Sequence, residues 1–215
     1  AGLRACQNLR RANFEGTLTL VGAEEHLPYD RPPLSKTMLS TEQDPGELSL
    51  ISDSDLAELN LNLVLGSPAT RLDTVTHEVT VGDERIFYDG LIIATGARAR
   101  KLLKSDDIGG IHTLRTMEDS LAIRSALESS SSVVIVGAGF IGSEVAAAAR
   151  HRGCQVSIIE AGEAPLMRGL GHEVGSACGQ LHQSHGVDLR VGVQIQNFHG
   201  SQTVEEVELT DGSRI

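Results

Sequence analysis

The feature that most constrains this chain is the hexapeptide GAGFIG at positions 137–142, which directly follows the four apolar residues VVIV. An apolar run, a glycine turn and an alanine-rich stretch predict a strand, a tight turn and a helix, and QVSIIE completes the unit as a second strand. Gly137 permits the tight turn, Gly139 lets the backbone approach a pyrophosphate, and Gly142 lets the helix pack closely on the strand. This order of elements predicts a dinucleotide-binding βαβ unit.

Glu160 ends the second strand, 18 residues after Gly142. A carboxylate at that place accepts hydrogen bonds from both adenosine ribose hydroxyls and repels a 2′-phosphate, which favours NAD(H) over NADP(H). The alternative is that Glu160 only caps the strand end in solvent. The predicted NAD(H) contacts are Gly137, Gly139, Phe140, Ile141, Gly142 and Glu160.

The first 24 residues match the remainder of a similar fingerprint. Gly2 stands at its third glycine, a helix runs from Gly2 to Ala12, the strand TLTLVG follows, and Glu24 comes 22 residues after Gly2. Taken alone, this half-motif fits any helix and strand, but the unit downstream supports it. Because no strand precedes the helix and the chain ends within a strand-like run, we expect a fragment cut at both ends.

The other segments complete an α/β pattern. A proline-rich loop, a short acidic helix (53–60) and the strand NLVLG lead to an antiparallel meander (70–88) and the apolar strand GLIIATGA. Helices at 114–127 and 172–185 and a second meander, VEEVELTDGSRI, belong to the later half. We therefore predict two Rossmann-type nucleotide-binding domains in tandem, each with a βαβ unit and an antiparallel meander. Their predicted ranges are 1–112 and 113–215.

Composition argues against several other roles. The formal charge of −11 disfavours nucleic acid or an anionic membrane as the main partner. No apolar run is long enough for a membrane span, so we expect a cytoplasmic protein. The three cysteines form no CxxC, and three histidines on the helix at 172–185 lack a completing carboxylate, so we expect no metal site.

Four segments occur in the same order in a known family: LPYDRPPLSK, YDGLIIATGARAR, LRTMEDS and VVIVGAGFIGSEVAAAA. The chain resembles the flavin-dependent NADH:ferredoxin reductases that serve oxygenases, the putidaredoxin reductase and rubredoxin reductase family within the glutathione-reductase-like fold. The resemblance covers essentially all 215 residues.

The resemblance implies that FAD is bound by the first domain and NAD(H) by the second. It places Lys36 beside the isoalloxazine ring, in an ion pair with Glu144, as the two candidate catalytic residues. A fixed cation there stabilises negative charge on the reduced ring, and the pairing offsets the desolvation of the lysine. Without the resemblance, a solvated loop lysine and a first-turn helix acid are the simplest interpretations. The implied FAD contacts are Ala1, Gly2, Ala23, Glu24, Lys36, Ala69, Ala94, Thr95, Gly96 and Arg115.

Departures from related enzymes favour a protein acceptor. Disulfide reductases of this fold carry a redox cysteine pair, and peroxide-reducing relatives carry one cysteine where this chain has Leu34 and Ser35. The implied function is therefore an oxidoreductase that passes hydride from NADH to FAD and then single electrons to a ferredoxin or rubredoxin. The alternatives are an apoptosis-inducing-factor-like NADH oxidoreductase and a catalytically silent nucleotide-binding module.

A basic stretch near residue 100 is a candidate docking surface for an acidic ferredoxin. Its residues are Arg98, Arg100, Lys101 and Lys104. For Arg98 and Arg100, cofactor contact and solvation of a turn are equally open.

Overall fold

The computed structural model describes residues 1–102 and 108–215, which pack into two compact units. Unit 1 comprises Ala1–Asp30 and Gly46–Ala97, and unit 2 comprises Arg31–Pro45 and Arg98–Ile215. Packing therefore assigns the segment 31–45 to the later half of the chain. The division by cofactor at residues 112 and 113 stays a prediction, because packing does not report which unit binds which group.

The elements are numbered in chain order within the described residues. The helices are α1 (Gly2–Arg11), α2 (Thr37–Ser40), α3 (Asp53–Leu59), α4 (Met117–Ser129), α5 (Phe140–His151) and α6 (Met167–Ser184). The strands are β1 (Leu18–Val21), β2 (Leu61–Val64), β3 (Ala69–Asp73), β4 (Glu78–Val81), β5 (Glu84–Phe87), β6 (Ser132–Val136), β7 (Gln155–Glu160), β8 (Val187–Val191), β9 (Ile195–His199) and β10 (Glu206–Leu209).

Unit 1 contains the predicted helix, strand and meander. Strands β1 and β2 pair in parallel, and α1 buries Leu3 and Cys6 on its apolar face. Strands β3, β4 and β5 form an antiparallel sheet in that order. Ser52 caps α3 by accepting a hydrogen bond from the backbone N–H of Asp55, which explains where the acidic helix begins.

The strand predicted at GLIIATGA, residues 90–97, is wrong. This segment joins no strand ladder among the described residues, and Ile92 and Ile93 are 59% and 69% exposed. Apolar β-branched residues favour extended backbone, but a strand forms only where a neighbouring backbone supplies hydrogen bonds. Composition alone therefore overstated this element.

Unit 2 is built on a parallel sheet of β6, β7 and β8 in that order. Helix α5 connects β6 to β7, as the glycine motif predicts, and α6 connects β7 to β8. Buried side chains of β6, α5 and β7, among them Ile135, Ala146 and Ile158, form the core between sheet and helix. Strands β9 and β10 pair antiparallel and add Val207 and Leu209 to a second apolar cluster.

Helix α4 begins at Met117 rather than at Leu114. The side chain of Thr116 accepts a hydrogen bond from the backbone N–H of Asp119, and Asp119 accepts one in return from the backbone N–H of Thr116. This capping box satisfies donors that the helix leaves unpaired, so it fixes the first turn. No helix in the described ranges is both long enough and apolar enough to cross a bilayer.

The segment 31–45 is held within unit 2 by buried contacts. It forms a 3₁₀ turn at Pro32–Ser35 followed by α2, in which Met38 and Leu39 are fully buried. The guanidinium of Arg152, at the end of α5, donates to the carbonyl of Leu39. These contacts place the PPLSK motif against the helix that follows the glycine turn.

Candidate functional site

The glycine turn of unit 2 has open space at its first two glycines and none at its third. Gly137 has φ +98°, and a Cβ built there or on Gly139 meets no described atom within 4 Å. A Cβ on Gly142 would lie 2.0 Å from the carbonyl oxygen of Gly137. The first two positions are therefore free for a ligand to approach, while the third is required by helix–strand packing.

Backbone hydrogen bonds hold this turn at the end of the parallel sheet. The N–H of Gly137 donates to the carbonyl of Ile159 at 2.7 Å. Helix α5 starts directly after the turn, and its first side chains, Phe140 and Ile141, are 57% and 53% exposed. The free N–H groups and the positive end of a helix favour an anion such as a phosphate.

Glu160 lies against the same turn. Its Oε2 accepts a hydrogen bond from the N–H of Ala138 at 2.7 Å, and its Oε1 accepts one from the N–H of Gly162 at 2.8 Å. The carboxylate is therefore ordered beside the turn by these two backbone donors, and its bond to Gly162 also caps the strand end. Open space, helix N–H groups and an ordered carboxylate together fit the adenosine diphosphate half of a dinucleotide.

Unit 1 shows related features at its own helix start. A Cβ on Gly2 would lie 3.0 Å from Leu20 Cδ1 and 3.7 Å from Ala94 Cβ, so α1 approaches β1 closely at this residue. At the end of the motif, Glu24 Oε2 accepts a hydrogen bond from the Tyr29 hydroxyl at 2.5 Å. A close helix approach and an ordered acid after the strand fit the remainder of a second nucleotide fingerprint.

The remaining candidate FAD contacts lie in both units. Arg115, in unit 2, accepts a hydrogen bond from Arg31 through its carbonyl and donates one to Asp119 through its N–H, each at 2.7 Å. Gly96 has φ +65°, a conformation that favours glycine. The other candidates are exposed residues of unit 1, most of them with small side chains: Ala1, Ala23, Ala69, Ala94 and Thr95.

Lys36 and Glu144 form the expected ion pair within unit 2. Lys36 Nζ lies 3.0 Å from Glu144 Oε1, with side chains that are 49% and 29% exposed. The other carboxylate oxygen, Oε2, accepts a hydrogen bond from the Ser35 hydroxyl at 2.5 Å. Sequence reasoning missed this contact, although a hydroxyl beside the candidate lysine was the available signal.

The three cysteines of the chain are all free thiols. Cys6 and Cys154 are buried, and burial raises the pKa of the Cys6 thiol. A buried thiol of raised pKa is a poor nucleophile, because the thiolate is the reactive form.

Most of the predicted basic docking stretch can be located. Arg98, Arg100 and Lys101 are exposed and lie in irregular backbone of unit 2. Lys104 lies outside the described residues. The docking role of all four residues stays a prediction from the sequence.

The chain is similar to known reductases over its whole length. A family model described as pyridine nucleotide-disulphide oxidoreductase matches residues 1–215. The chain is 39% identical over 217 residues to the biphenyl dioxygenase system ferredoxin–NAD(+) reductase component of Paraburkholderia xenovorans (strain LB400), covering 100% of this chain and 53% of that protein.

Two solved structures have the same fold. The ferredoxin reductase for the CYP199A2 system from Rhodopseudomonas palustris gives a TM-score of 0.94 at 30% identity, covering 100% of this chain and 54% of that one. The covalent putidaredoxin reductase–putidaredoxin complex gives a TM-score of 0.94 at 32% identity, covering 99% and 53%.

The chain spans about half the length of the curated relatives it matches. The resemblance drawn from the motifs and the α/β nucleotide-binding fold class are confirmed by these matches. The chain belongs to the pyridine nucleotide-disulphide oxidoreductase family.

Proposed function

We propose that the protein containing this chain is a flavoprotein reductase. It passes hydride from NADH to FAD and then single electrons to a ferredoxin or rubredoxin, as the reductase component of an oxygenase system. The observation that carries the proposal is the glycine turn, which is open at Gly137 and Gly139 and closed at Gly142. That combination is needed where a backbone approaches a pyrophosphate while its helix packs on a strand.

The residues of the turn divide the task of binding NADH. The backbone at Gly139 and the first turn of α5, with Phe140 and Ile141, supply N–H groups to the phosphates. Glu160 accepts hydrogen bonds from the ribose and opposes an additional phosphate by its charge. The cofactor pair is therefore FAD with NAD(H) rather than NADP(H).

Lys36 and Glu144 are the proposed catalytic residues. When bound, FAD accepts a hydride from NADH and releases the electrons one at a time. Lys36 supplies a fixed positive charge, and Glu144 holds the lysine in place at 3.0 Å. The proposed FAD contacts are those that the family resemblance implies, from Ala1 and Gly2 through Arg115.

A protein acceptor is supported by the chain's chemistry and by its relatives. Serine, not cysteine, stands directly before Lys36, so no thiol beside the lysine is available to take up electrons. A relative 39% identical to this chain is named as the ferredoxin–NAD(+) reductase component of a dioxygenase system. We infer a small iron–sulfur protein as the partner. We also infer a cytoplasmic location, and cell fractionation tests that location.

The test uses the full-length protein and has three readouts. We expect a yellow protein with two flavin absorption bands, NADH oxidation, and cytochrome c reduction that depends on added ferredoxin or rubredoxin. A colourless protein that gains no flavin on reconstitution supports the silent nucleotide-binding module instead. NADH oxidation that no iron–sulfur acceptor accelerates would reject the proposed partner class.

A further inference from the structure

Ser35 and Lys36, adjacent in the chain, hold opposite oxygens of one carboxylate. The Ser35 hydroxyl donates to Glu144 Oε2 at 2.5 Å, and Lys36 Nζ lies 3.0 Å from Oε1. The burial of the two donors differs greatly, since Ser35 is 5% exposed and the Lys36 side chain is 49% exposed. The two contacts therefore differ in how firmly each fixes the carboxylate.

The ion pair alone is a weak constraint. A half-exposed lysine pairs in a medium close to water, and ordering its long side chain offsets most of the attraction. Among the described residues, Lys36 Nζ also donates to the carbonyl of Pro32 at 3.3 Å. Left to these contacts, the ammonium would divide its time between the carboxylate, this carbonyl and solvent.

The serine contact is a strong constraint, because a buried hydroxyl without a good partner is costly. The backbone that carries Ser35 is itself fixed, since the fully buried Ser120 hydroxyl on α4 donates to the carbonyl of Leu34 at 2.7 Å. The alternative acceptor for Ser35, the carbonyl of Pro32, lies 3.4 Å away and is a poorer partner. The hydroxyl therefore determines where the Glu144 carboxylate lies.

We propose that Ser35 is a positioning residue for the Lys36–Glu144 pair. By holding Oε2, it orients the carboxylate so that Oε1 faces the ammonium, and Ser120 supports it by fixing the turn. The inference rests on the proposed function, in which Lys36 provides the fixed charge beside the flavin. The side chain of Ser35 thus orders the catalytic cation without touching it.

The experiment measures how firmly Lys36 is held. The purified full-length flavoprotein is acylated with an N-hydroxysuccinimide ester, and peptide mass spectrometry follows Lys36 against the exposed Lys101 as an internal reference. Acylation requires the amine to leave the carboxylate and turn toward the reagent. In Ser35→Ala we expect Lys36 to react about three- to tenfold faster, as fits the loss of a charge-assisted hydrogen bond.

Three further variants separate positioning from general loss of structure. Ser35→Thr retains the hydroxyl and should restore slow acylation. Ser35→Cys retains the size with a weak donor and should resemble Ser35→Ala. Ser129→Ala is the matched control, since Ser129 is exposed at the end of α4 and its hydroxyl donates to carbonyls of the same helix. Circular dichroism establishes that each variant is folded.

A second arm follows flavin reduction by NADH in rapid mixing. Ser35→Ala should lower the maximal rate several-fold and leave the NADH concentration at half-maximal rate nearly unchanged, because the glycine turn precedes α5, whereas Ser35 contacts Glu144 within that helix. If wild-type protein shows no flavin reduction, the proposed function fails while the acylation arm still tests Ser35. Wild-type acylation of Lys36 in folded Ser35→Ala and Ser35→Cys, or fast acylation in folded Ser35→Thr, would overturn the inference.

Discussion

The substitutions Gly139→Ala and Gly142→Ala separate two roles of the glycine turn, which are ligand approach and helix packing. A Cβ on Gly142 would stand 2.0 Å from the Gly137 carbonyl oxygen and 3.2 Å from its carbon. A Cβ on Gly139 meets no described atom within 4 Å, and its φ of −77° suits any residue. One substitution therefore disturbs packing, and the other fills the space where a ligand would approach.

The expected magnitudes follow from these distances. Overpacking costs about 1–3 kcal/mol and occasionally more, and here the obstacle is backbone, which cannot rotate away. The helix propensity of alanine returns at most about 1 kcal/mol, so we expect Gly142→Ala to lower the free energy of unfolding by about 2 kcal/mol. At Gly139 the structural cost expected from the described residues is a poorer helix N-cap, about 1 kcal/mol or less.

For Gly139→Ala we expect a large loss of NADH affinity and only a small loss of stability. Its new methyl group occupies space that a pyrophosphate needs, so we expect NADH affinity to fall at least about tenfold, equivalent to roughly 1.4 kcal/mol. Urea denaturation followed by circular dichroism gives the stabilities, and the rate of flavin reduction measured over a range of NADH concentrations gives the apparent affinities. Gly90→Ala, with no described atom within 4 Å of the added Cβ, is the matched control.

Two results would refute the reasoning. If Gly139→Ala binds NADH as tightly as wild type, the open space above the turn is not where the dinucleotide lies. If Gly142→Ala unfolds at the wild-type urea concentration, the predicted overlap with Gly137 is relieved at no cost, and the packing argument for the third glycine is wrong.

Three further measurements probe other groups. Tyr29→Phe removes the 2.5 Å donor to Glu24, so FAD affinity measured by fluorescence should fall about tenfold, and an unchanged value would exclude an orienting role. Glu160→Ala removes the charge that opposes a 2′-phosphate, and the ratio of kcat/KM for NADH over NADPH should fall about tenfold. Burial raises the pKa of the Cys6 thiol, so a thiol-reactive disulfide reagent at pH 8 should label Cys178 first, and Cys6 should need more alkaline pH; equal rates would contradict this.

The sequence was most informative where a pattern is local. The positions of Gly137, Gly139 and Gly142 predicted a strand, a turn and a helix, because the backbone geometry of that turn depends on neighbours within a few residues. The position of Glu160 at the end of the second strand could be predicted for the same reason. That its two oxygens would bond the N–H groups of Ala138 and Gly162 could not, since side-chain direction at a strand end depends on how the turn closes.

Contacts between distant segments could not be predicted from hydrophobic periodicity or composition. Ser35 and Glu144 are 109 positions apart, and apart from the hydroxyl next to Lys36 neither segment indicates that they meet. The Lys36–Glu144 pair was expected only through the family resemblance. The strand predicted at residues 90–97 was wrong for a related reason. Strand propensity describes a residue's preference, but it does not supply the neighbouring backbone that a ladder requires.

The segment 31–45 shows why sequence order is a poor guide to the extent of this site. It precedes the meander of unit 1 in the chain, yet it packs in unit 2, where Ser120 holds its turn and Arg152 holds its helix. A boundary at residues 112 and 113 would leave Glu144 in one domain and Lys36 in the other. Since the Glu144 carboxylate has its partners Ser35 and Lys36 in this segment, its contacts depend on residues that sequence order assigns to the first domain. The proposed catalytic pair therefore depends on tertiary packing around α5. The glycine motif predicts the helix that carries Glu144, but it does not predict where Lys36 lies.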